Sequence, residues 1–536
     1  MPEYGKDGFP TATPNYDEIN YISDRLGATI LIGQYEPNYT ILDTLELGTY
    51  QIGEKYMGIH DPVWGECLIG DEPYDAMLLQ LARTPLFRRA QAIEQLTLGP
   101  NYATMPNGMY FSRWQHIWGS LAFVRKMTEG DSRFDPRERM VLQLRTLLSD
   151  VGHTAFSHLG DWLFQGTNAG DDLHDQELKS LLATTGISAI LDKYGFTLDE
   201  TVFPEVKDWV ECPSPNLCVD RVDYGMRELL RWSNHFLRLY EYKSELSNPK
   251  SLFEINDDLE LVITDKRFAQ KFAAGYGILP TEHWNHPVQN TQLYLLENAV
   301  KGALLEGVAQ FGEHPRDAMF GIDADFEQYF RTWDVMHFDK LLRDIALSQR
   351  YIFTTARQYD LARVFYQETD AWRFPEFPHP LESYSWQSRE HGGPYAPQIE
   401  VEEAEVAAHA LRTVAAGIQV DLPRKKPRSI DPVIKQEQKY LRLSEIDSTY
   451  QQYLDGQRKV MSISHMATIL VRSGVAKIVA EKYDQIQADW EQAVQLPRSP
   501  RAVAERIAMT MPFAAARSFD SIYESDDRDI TKRAKR

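Results

Sequence analysis

A mainly α fold, with a smaller mixed or helical C-terminal lobe, is predicted by three observations. Apolar residues recur at helical spacing over long stretches, those stretches open and close on capping residues, and strand-like alternation is scarce. Residues 1–54 form an extension with Pro10, Pro14 and Pro37, and a short strand or hairpin is expected near "YQIGEKYMGI". In "DAMLLQLARTPLFRRAQAIEQL", Met77, Leu78, Leu81, Leu86, Ile93 and Leu96 fall near one helical face, with Thr84-Pro85 restarting a helix. In "DPRERMVLQLRTLLSDVG", Asp135 caps, Pro136 opens, and Met140, Val141, Leu144, Leu147 and Leu148 make one apolar face. Gly152 is expected to close that helix in a left-handed conformation. Further helices are predicted at Asp220–Tyr242, Thr291–Phe311, Asp325–Leu347 and Asp360–Asp370. The helical core spans residues 55–372, and a Pro-, Gly- and aromatic-rich stretch at 373–398 reads as a linker or long loop. Residues 399–536 make the C-terminal lobe with a basic tail, with helices around Tyr450–Ser473 and Val475–Leu496. No internal repeat is visible.

Composition narrows the function. The formal charge of -21 argues against general nucleic-acid binding, which needs a cationic surface. The two basic stretches, "LPRKKPRS" and "TKRAKR", read as a solvated loop and a tail. No run approaches the roughly 20 apolar residues of a membrane span, and the N-terminus has no export signal, so a cytoplasmic protein without a membrane partner is expected. Cys67, Cys212 and Cys218 lack metal or disulfide spacing and read as reduced, buried thiols.

One bend gathers polar groups. The helix ending on Ser149-Asp150 runs into His153, His158 and Asp161, with the last two three residues apart. Upstream, Arg113 and His116 lie one helical turn apart; downstream come His174, Asp220, Asp223 and Tyr224. Imidazole and carboxylate ligands suit iron, manganese or zinc. Each histidine taken alone is more often a satisfied core or surface residue than a ligand.

The ordered set resembles the HD-domain phosphohydrolases, and within them the SAM-and-HD-domain type of deoxynucleoside triphosphate triphosphohydrolase. The resemblance is carried by "IHDPVWG", "LARTPLFRRAQAIEQL", His116, "SDVGHTAFSH", His174 and "VDRVDY", over about residues 55–240. It implies an HD-type helical core in which His116, Asp150 and Asp220 bind a divalent metal (Mn, Fe, Zn or Mg). His158, Asp161 and His174 would be catalytic. Gln95, Arg113, His153, Arg221, Tyr224 and Glu228 would bind the nucleotide, although the family commonly has Asp where Glu228 stands. The histidine that should precede Asp150 is Ser149, a poor ligand, so metal binding is expected to be weak or absent. The family's later His-Arg-x-x-Tyr stretch has no counterpart; the nearest histidines, His283 and His286, read as turn or cap residues beside Pro287. The expected activity is hydrolysis of a deoxynucleoside triphosphate to nucleoside and triphosphate. The alternative is a degenerate member that binds nucleotide as a sensor or scaffold. Self-association into a homo-oligomer is implied by the resemblance alone.

Overall fold

A computed structural model describes residues 48–52, 56–97, 111–164, 173–202, 209–232, 239–284, 293, 296–305, 314–323, 325–326, 428–448, 450–451, 454, 486–495 and 500–509. The helix expected at Asp360–Asp370, most of that at Asp325–Leu347, the linker at 373–398, the tail "TKRAKR" and His286 lie outside them. The fold is mainly α, as expected.

The expected hairpin is present as β1 (Gly48–Ile52) and β2 (Tyr56–Asp61), extended by β3 (Gly65–Ile69) into a three-stranded antiparallel sheet. Asp61 makes the β2–β3 turn, its Oδ1 accepting from the amides of Val63 and Trp64 at 2.8 Å each. α1 (Asp75–Ala82) is followed by α2 (Pro85–Arg89), which Pro85 opens after Thr84.

Two helices centre the molecule. α3 (Arg113–Thr128) starts on a capping box in which Ser112 and Gln115 satisfy each other's backbone amides. Every α3 residue except Lys126 is buried, as expected for a helix packed on all sides. α4 (Pro136–Ser149) opens on the Asp135–Glu138 capping box and packs along α3. Its end differs from expectation. Asp150 caps it in a right-handed conformation, and Gly152 is absent from the glycines of positive φ. What Gly152 provides is close approach: a Cβ there would meet the His174 carbonyl at 3.1 Å and Leu178 Cδ1 at 3.2 Å.

α5 (Leu159–Phe164), α6 (Leu173–Thr184) and α7 (Ile187–Lys193) follow, then α8 (Val219–Trp232), which crosses α3. β4 (Phe253–Ile255) and β5 (Leu261–Ile263) form a hairpin before α9 (Lys266–Ile278), which passes into one π-helical stretch at Leu279–Trp284. Pro280 sits in that stretch and lacks the amide that an α-helical ladder would use.

The described part of the C-terminal region does not stand apart from the core. β6 (Val433–Gln436) pairs parallel with β5, and β7 (Lys439–Arg442) pairs antiparallel with β6, giving one four-stranded sheet β4-β5-β6-β7. α10 (Pro500–Met509) packs on α2 and α6. A main apolar core joins α3, α4, α8, α9 and both sheets. A second cluster packs Phe156, Leu159 and Leu163 with Leu293, Leu296, Val300, Met319, Phe326 and Trp490, and so supports α5 from behind.

Candidate functional site

The site lies where the start of α3, the end of α4 and the start of α8 meet. His116, one turn into α3, is buried; its Nδ1 faces Asp223 Oδ2 at 2.7 Å, which fixes the ring. Its Nε2 then points at Asp220 Oδ1, 3.0 Å away, and Asp150 Oδ2, 3.3 Å away. One ligand atom from each of His116, Asp150 and Asp220 lies within 4.8 Å of the others. One imidazole and two carboxylates on three elements, with a carboxylate behind the imidazole, is a donor set that fits a divalent cation. Ser149 adds no donor: its hydroxyl turns back to the Thr146 carbonyl at 3.4 Å. Burial works against charge on His116, yet its bonds to Asp220 and Asp223 and the field of Asp150 push it up to about 10.

Behind Asp223 stands a buried ion network. Arg227, one turn further along α8, pairs with Asp223 and with Asp61 of the β2–β3 turn, and Trp64 Nε1 also donates to Asp223. The three charged side chains are fully buried. Their contact with α3 is made possible by Gly119.

The second group is His153, His158, Asp161 and His174. Phe156 and Ser157 both take positive φ, 54° and 58°, which non-glycine residues rarely adopt. Asp323 Oδ1 holds the Phe156 amide at 2.6 Å, and the Ala155 amide donates to the Met319 carbonyl at 2.8 Å. The turn delivers His158 to the mouth of α5. There its Nδ1 meets Asp161 Oδ2 at 2.8 Å, while Asp161 Oδ1 accepts from the Leu173 amide at 2.7 Å and faces His174 Nδ1 at 3.3 Å. His153 stacks on His174 with centroids 3.7 Å apart, and its buried Nδ1 has no partner among the described residues. Burial would raise Asp161, but the two imidazoles hold it far below the usual carboxylate range. Burial lowers His158, against its bond to Asp161 and with the help of the nearby Arg113 charge.

Arg113 joins the two groups. It donates through Nη1 to Asp150 Oδ2 at 2.6 Å, through Nε to Ser157 Oγ at 3.1 Å and through Nη2 to the Gln95 carbonyl at 3.3 Å; Nη2 also lies 3.2 Å from His158 Nε2. His153 Nε2 lies 3.6 Å from Asp150 Oδ1, and burial holds His153 well below the usual histidine range. The second group also has four possible ligand atoms within 4.8 Å. Its only carboxylate is already engaged by His158, His174 and the Leu173 amide, so the two-carboxylate set is the better place for a cation.

Tyr224 and Glu228 line one side, and Gln95 and Arg221 stand elsewhere. Tyr224 stands 6.1 Å from His116 by ring centroids and its hydroxyl meets that of Tyr276; Trp284 packs against both rings and donates its Nε1 to Glu228 at 2.6 Å. Gln95 is buried at the other side of Arg113, its Oε1 without a partner among the described residues. Arg221 turns its Nη1 to the Cys212 and Asn216 carbonyls, 2.8 Å each, and so towards the loop before α8. His283 lies in the π-helical stretch. Asp61, Arg227, Tyr276, Trp284 and Arg428 were not expected here. Only the Asp223–Arg227 spacing of four could have been read from the chain.

No protein-family model matches the chain. It is 27% identical over 185 residues to the uncharacterized protein YdhJ of Bacillus subtilis, which is 34% of this chain and 52% of YdhJ, so it spans about half the length of that relative. It is 27% identical over 265 residues to the metal-dependent phosphohydrolase cns2 of Cordyceps militaris, covering 48% of this chain and 70% of cns2. Over 155 residues it is 29% identical to the deoxynucleoside triphosphate triphosphohydrolase SAMHD1 of Gallus gallus, covering 27% of this chain and 24% of SAMHD1. No helix among the described residues is long and apolar enough to cross a membrane. The histidine-and-aspartate site thus stands in a chain whose relatives include a metal-dependent phosphohydrolase and triphosphohydrolases of deoxynucleoside triphosphates.

Proposed function

We propose that this protein is an HD-type phosphohydrolase acting on nucleotides, with a deoxynucleoside triphosphate as substrate and nucleoside and triphosphate as products. The observation that carries the reading is Arg113, which ties the candidate metal set at Asp150 to the candidate acid–base group at His158. The phosphate would enter between them and take over Arg113 donors now spent on Asp150 and Ser157, since a planar fork suits phosphate oxygens. His116, Asp150 and Asp220 would hold a divalent ion, which when bound neutralises phosphate charge. His158, oriented by Asp161, would act through Nε2 as general acid or base at the scissile P–O bond, giving the leaving sugar oxygen its proton or taking one from the attacking water. His153 and His174 complete the wall on that side, and Tyr224, Glu228 and Gln95 would receive the sugar. The printed names of cns2 and SAMHD1 support the reaction class.

The second reading, nucleotide binding without hydrolysis, is favoured by Ser149 and by the direct Arg113–Asp150 ion pair. Two variants separate the readings. In a hydrolase, His158→Ala lowers turnover by about 100- to 10,000-fold with nucleotide affinity retained, and Asp150→Ala abolishes turnover. In a binding protein, Asp150→Ala leaves affinity unchanged or tighter, because it removes a negative charge near the phosphates. Release of triphosphate over a panel of nucleotides, with elemental analysis of the purified protein, reads this out. A wild type that neither binds nor cleaves any nucleotide refutes both readings.

A further inference from the structure

The basic stretch "LPRKKPRS" ends at the site. Arg428 stands in the strap before β6, exposed to solvent, with its guanidinium carbon 5.8 Å from the centroid of the Trp284 ring. Trp284 in turn packs on Tyr224 and Tyr276, at 5.7 and 5.8 Å between centroids. Arg428 therefore forms the outer edge of the aromatic wall that begins beside His116.

The strap is fixed at several points. Ser214 Oγ donates to the Ser429 carbonyl and the Asp431 amide to the Pro215 carbonyl, both at 2.8 Å. Tyr450 donates its hydroxyl to the Ile430 carbonyl, and Arg442 bridges the Asp431 carbonyl at 2.8 Å and Asn216 Oδ1 at 2.7 Å. These bonds tie residues 429–431 to the loop that leads into α8, so Arg428 is carried on the same support as Asp220.

The other guanidinium groups around the site are engaged. Arg227 is closed in by Asp61 and Asp223, Arg221 holds loop carbonyls, and Arg113 holds Asp150 and Ser157. Arg428 stands instead beside a ring, its guanidinium carbon 5.8 Å from the Trp284 centroid. A guanidinium over a ring face can turn its N–H groups to an anion, and its five donors exceed what its bond to Tyr224 uses, with Tyr276 and Asp220 also close by. The wall beside Trp284 carries the Glu228 carboxylate, which a phosphorylated ligand would meet unfavourably without a cation there.

We propose that Arg428 is a further substrate-binding residue, whose guanidinium, beside Trp284, donates to a phosphate oxygen of the nucleotide at the open edge of the pocket. The proposal rests on the phosphohydrolase reading of the site.

The test uses the full chain. In a His158→Ala background, a deoxynucleoside triphosphate, its deoxynucleoside and inorganic triphosphate are titrated calorimetrically against Arg428, Arg428→Ala, Arg428→Gln and Arg428→Lys proteins. Arg428→Ala and Arg428→Gln should weaken the nucleotide and inorganic triphosphate by about tenfold or more, which is about 1.4 kcal/mol, and leave the deoxynucleoside within about twofold. Arg428→Lys should recover part of the loss, because it keeps the charge and not the fork. With His158 restored, KM should rise while kcat changes little. Equal triphosphate affinity in Arg428→Gln and the parent overturns the proposal, as does an equal loss for nucleoside and nucleotide, which marks a purely structural role. If Arg113→Ala weakens nucleotide and Arg428→Ala does not, Arg428 alone is misassigned; if the parent binds no nucleotide, both readings fall.

Discussion

Gly119→Ala tests whether the ion network behind the metal set is what holds it. A Cβ on Gly119 would lie 1.6 Å from Arg227 Nη2 and 2.7 Å from both Arg227 Cζ and Asp223 Oδ1. The guanidinium must move by more than an ångström, and it has nowhere to go, because Arg227, Asp61 and Asp223 are fully buried. Breaking a buried ion pair costs about 3–5 kcal/mol, since it strands charge in the interior. Against this, alanine favours a helix interior over glycine by about 1 kcal/mol. The net expectation is destabilisation by about 2–4 kcal/mol. Urea unfolding followed by tryptophan fluorescence measures it, with Trp64 reporting directly because it donates to Asp223. Since Asp223 also fixes His116, added divalent metal should bind about 10- to 100-fold more weakly, the usual loss when a carboxylate behind a ligand is disturbed. Adding Arg227→Met should relieve the clash with the guanidinium and leave that with Asp223, so Gly119→Ala should cost less in the Arg227→Met background than in wild type. A Gly119→Ala protein as stable as wild type would refute the reasoning, and the α3–α8 contact would then be loose enough to absorb a methyl group.

Two further outcomes are expected. Ser149→His should raise divalent-metal affinity at least tenfold, about 1.4 kcal/mol, by isothermal titration; unchanged affinity would show that the three existing ligands already suffice. Thiol labelling at pH 8 should find one fast site, Cys212, which is half-buried and lowered by its bond to Cys218 and the Arg221 charge. Burial pushes the Cys67 thiol up to about 11, so it stays protonated and unlabelled until pH passes that value or the protein unfolds; a fast phase that survives Cys212→Ser would contradict this.

The features legible in the chain are those decided within a few residues. The Asp135–Glu138 box, the Thr84-Pro85 restart and the turn between Arg113 and His116 all depend on neighbours in sequence, and the structure shows each one. The bend from Asp150 to Asp161 was legible as a gathering of polar groups, although its strained turn at Phe156-Ser157 was not, because Asp323 and Met319 hold it from far along the chain. The four-stranded sheet escaped notice for a related reason. "FEI" and "LVI" are too short to show alternation, and β5 gains a parallel neighbour only from residues 433–434. Gly152 misled because a glycine after a helix commonly closes it, whereas here the need is for space beside His174. "LPRKKPRS" read as a solvated loop by composition; the bonds that bring its end to Trp284 come from Ser214, Pro215 and Tyr450.

The parallel pairing of β5 with β6 also sets an order of events during synthesis. All three candidate metal ligands are complete once Asp220 has left the ribosome, whereas Arg428 follows about 200 residues later. At about 5–20 residues per second that is an interval of roughly 10–40 s. From the emergence of Ile263 until Val433 follows, β5 lacks its parallel neighbour, and the aromatic wall completed at Trp284 stands without Arg428 at its edge.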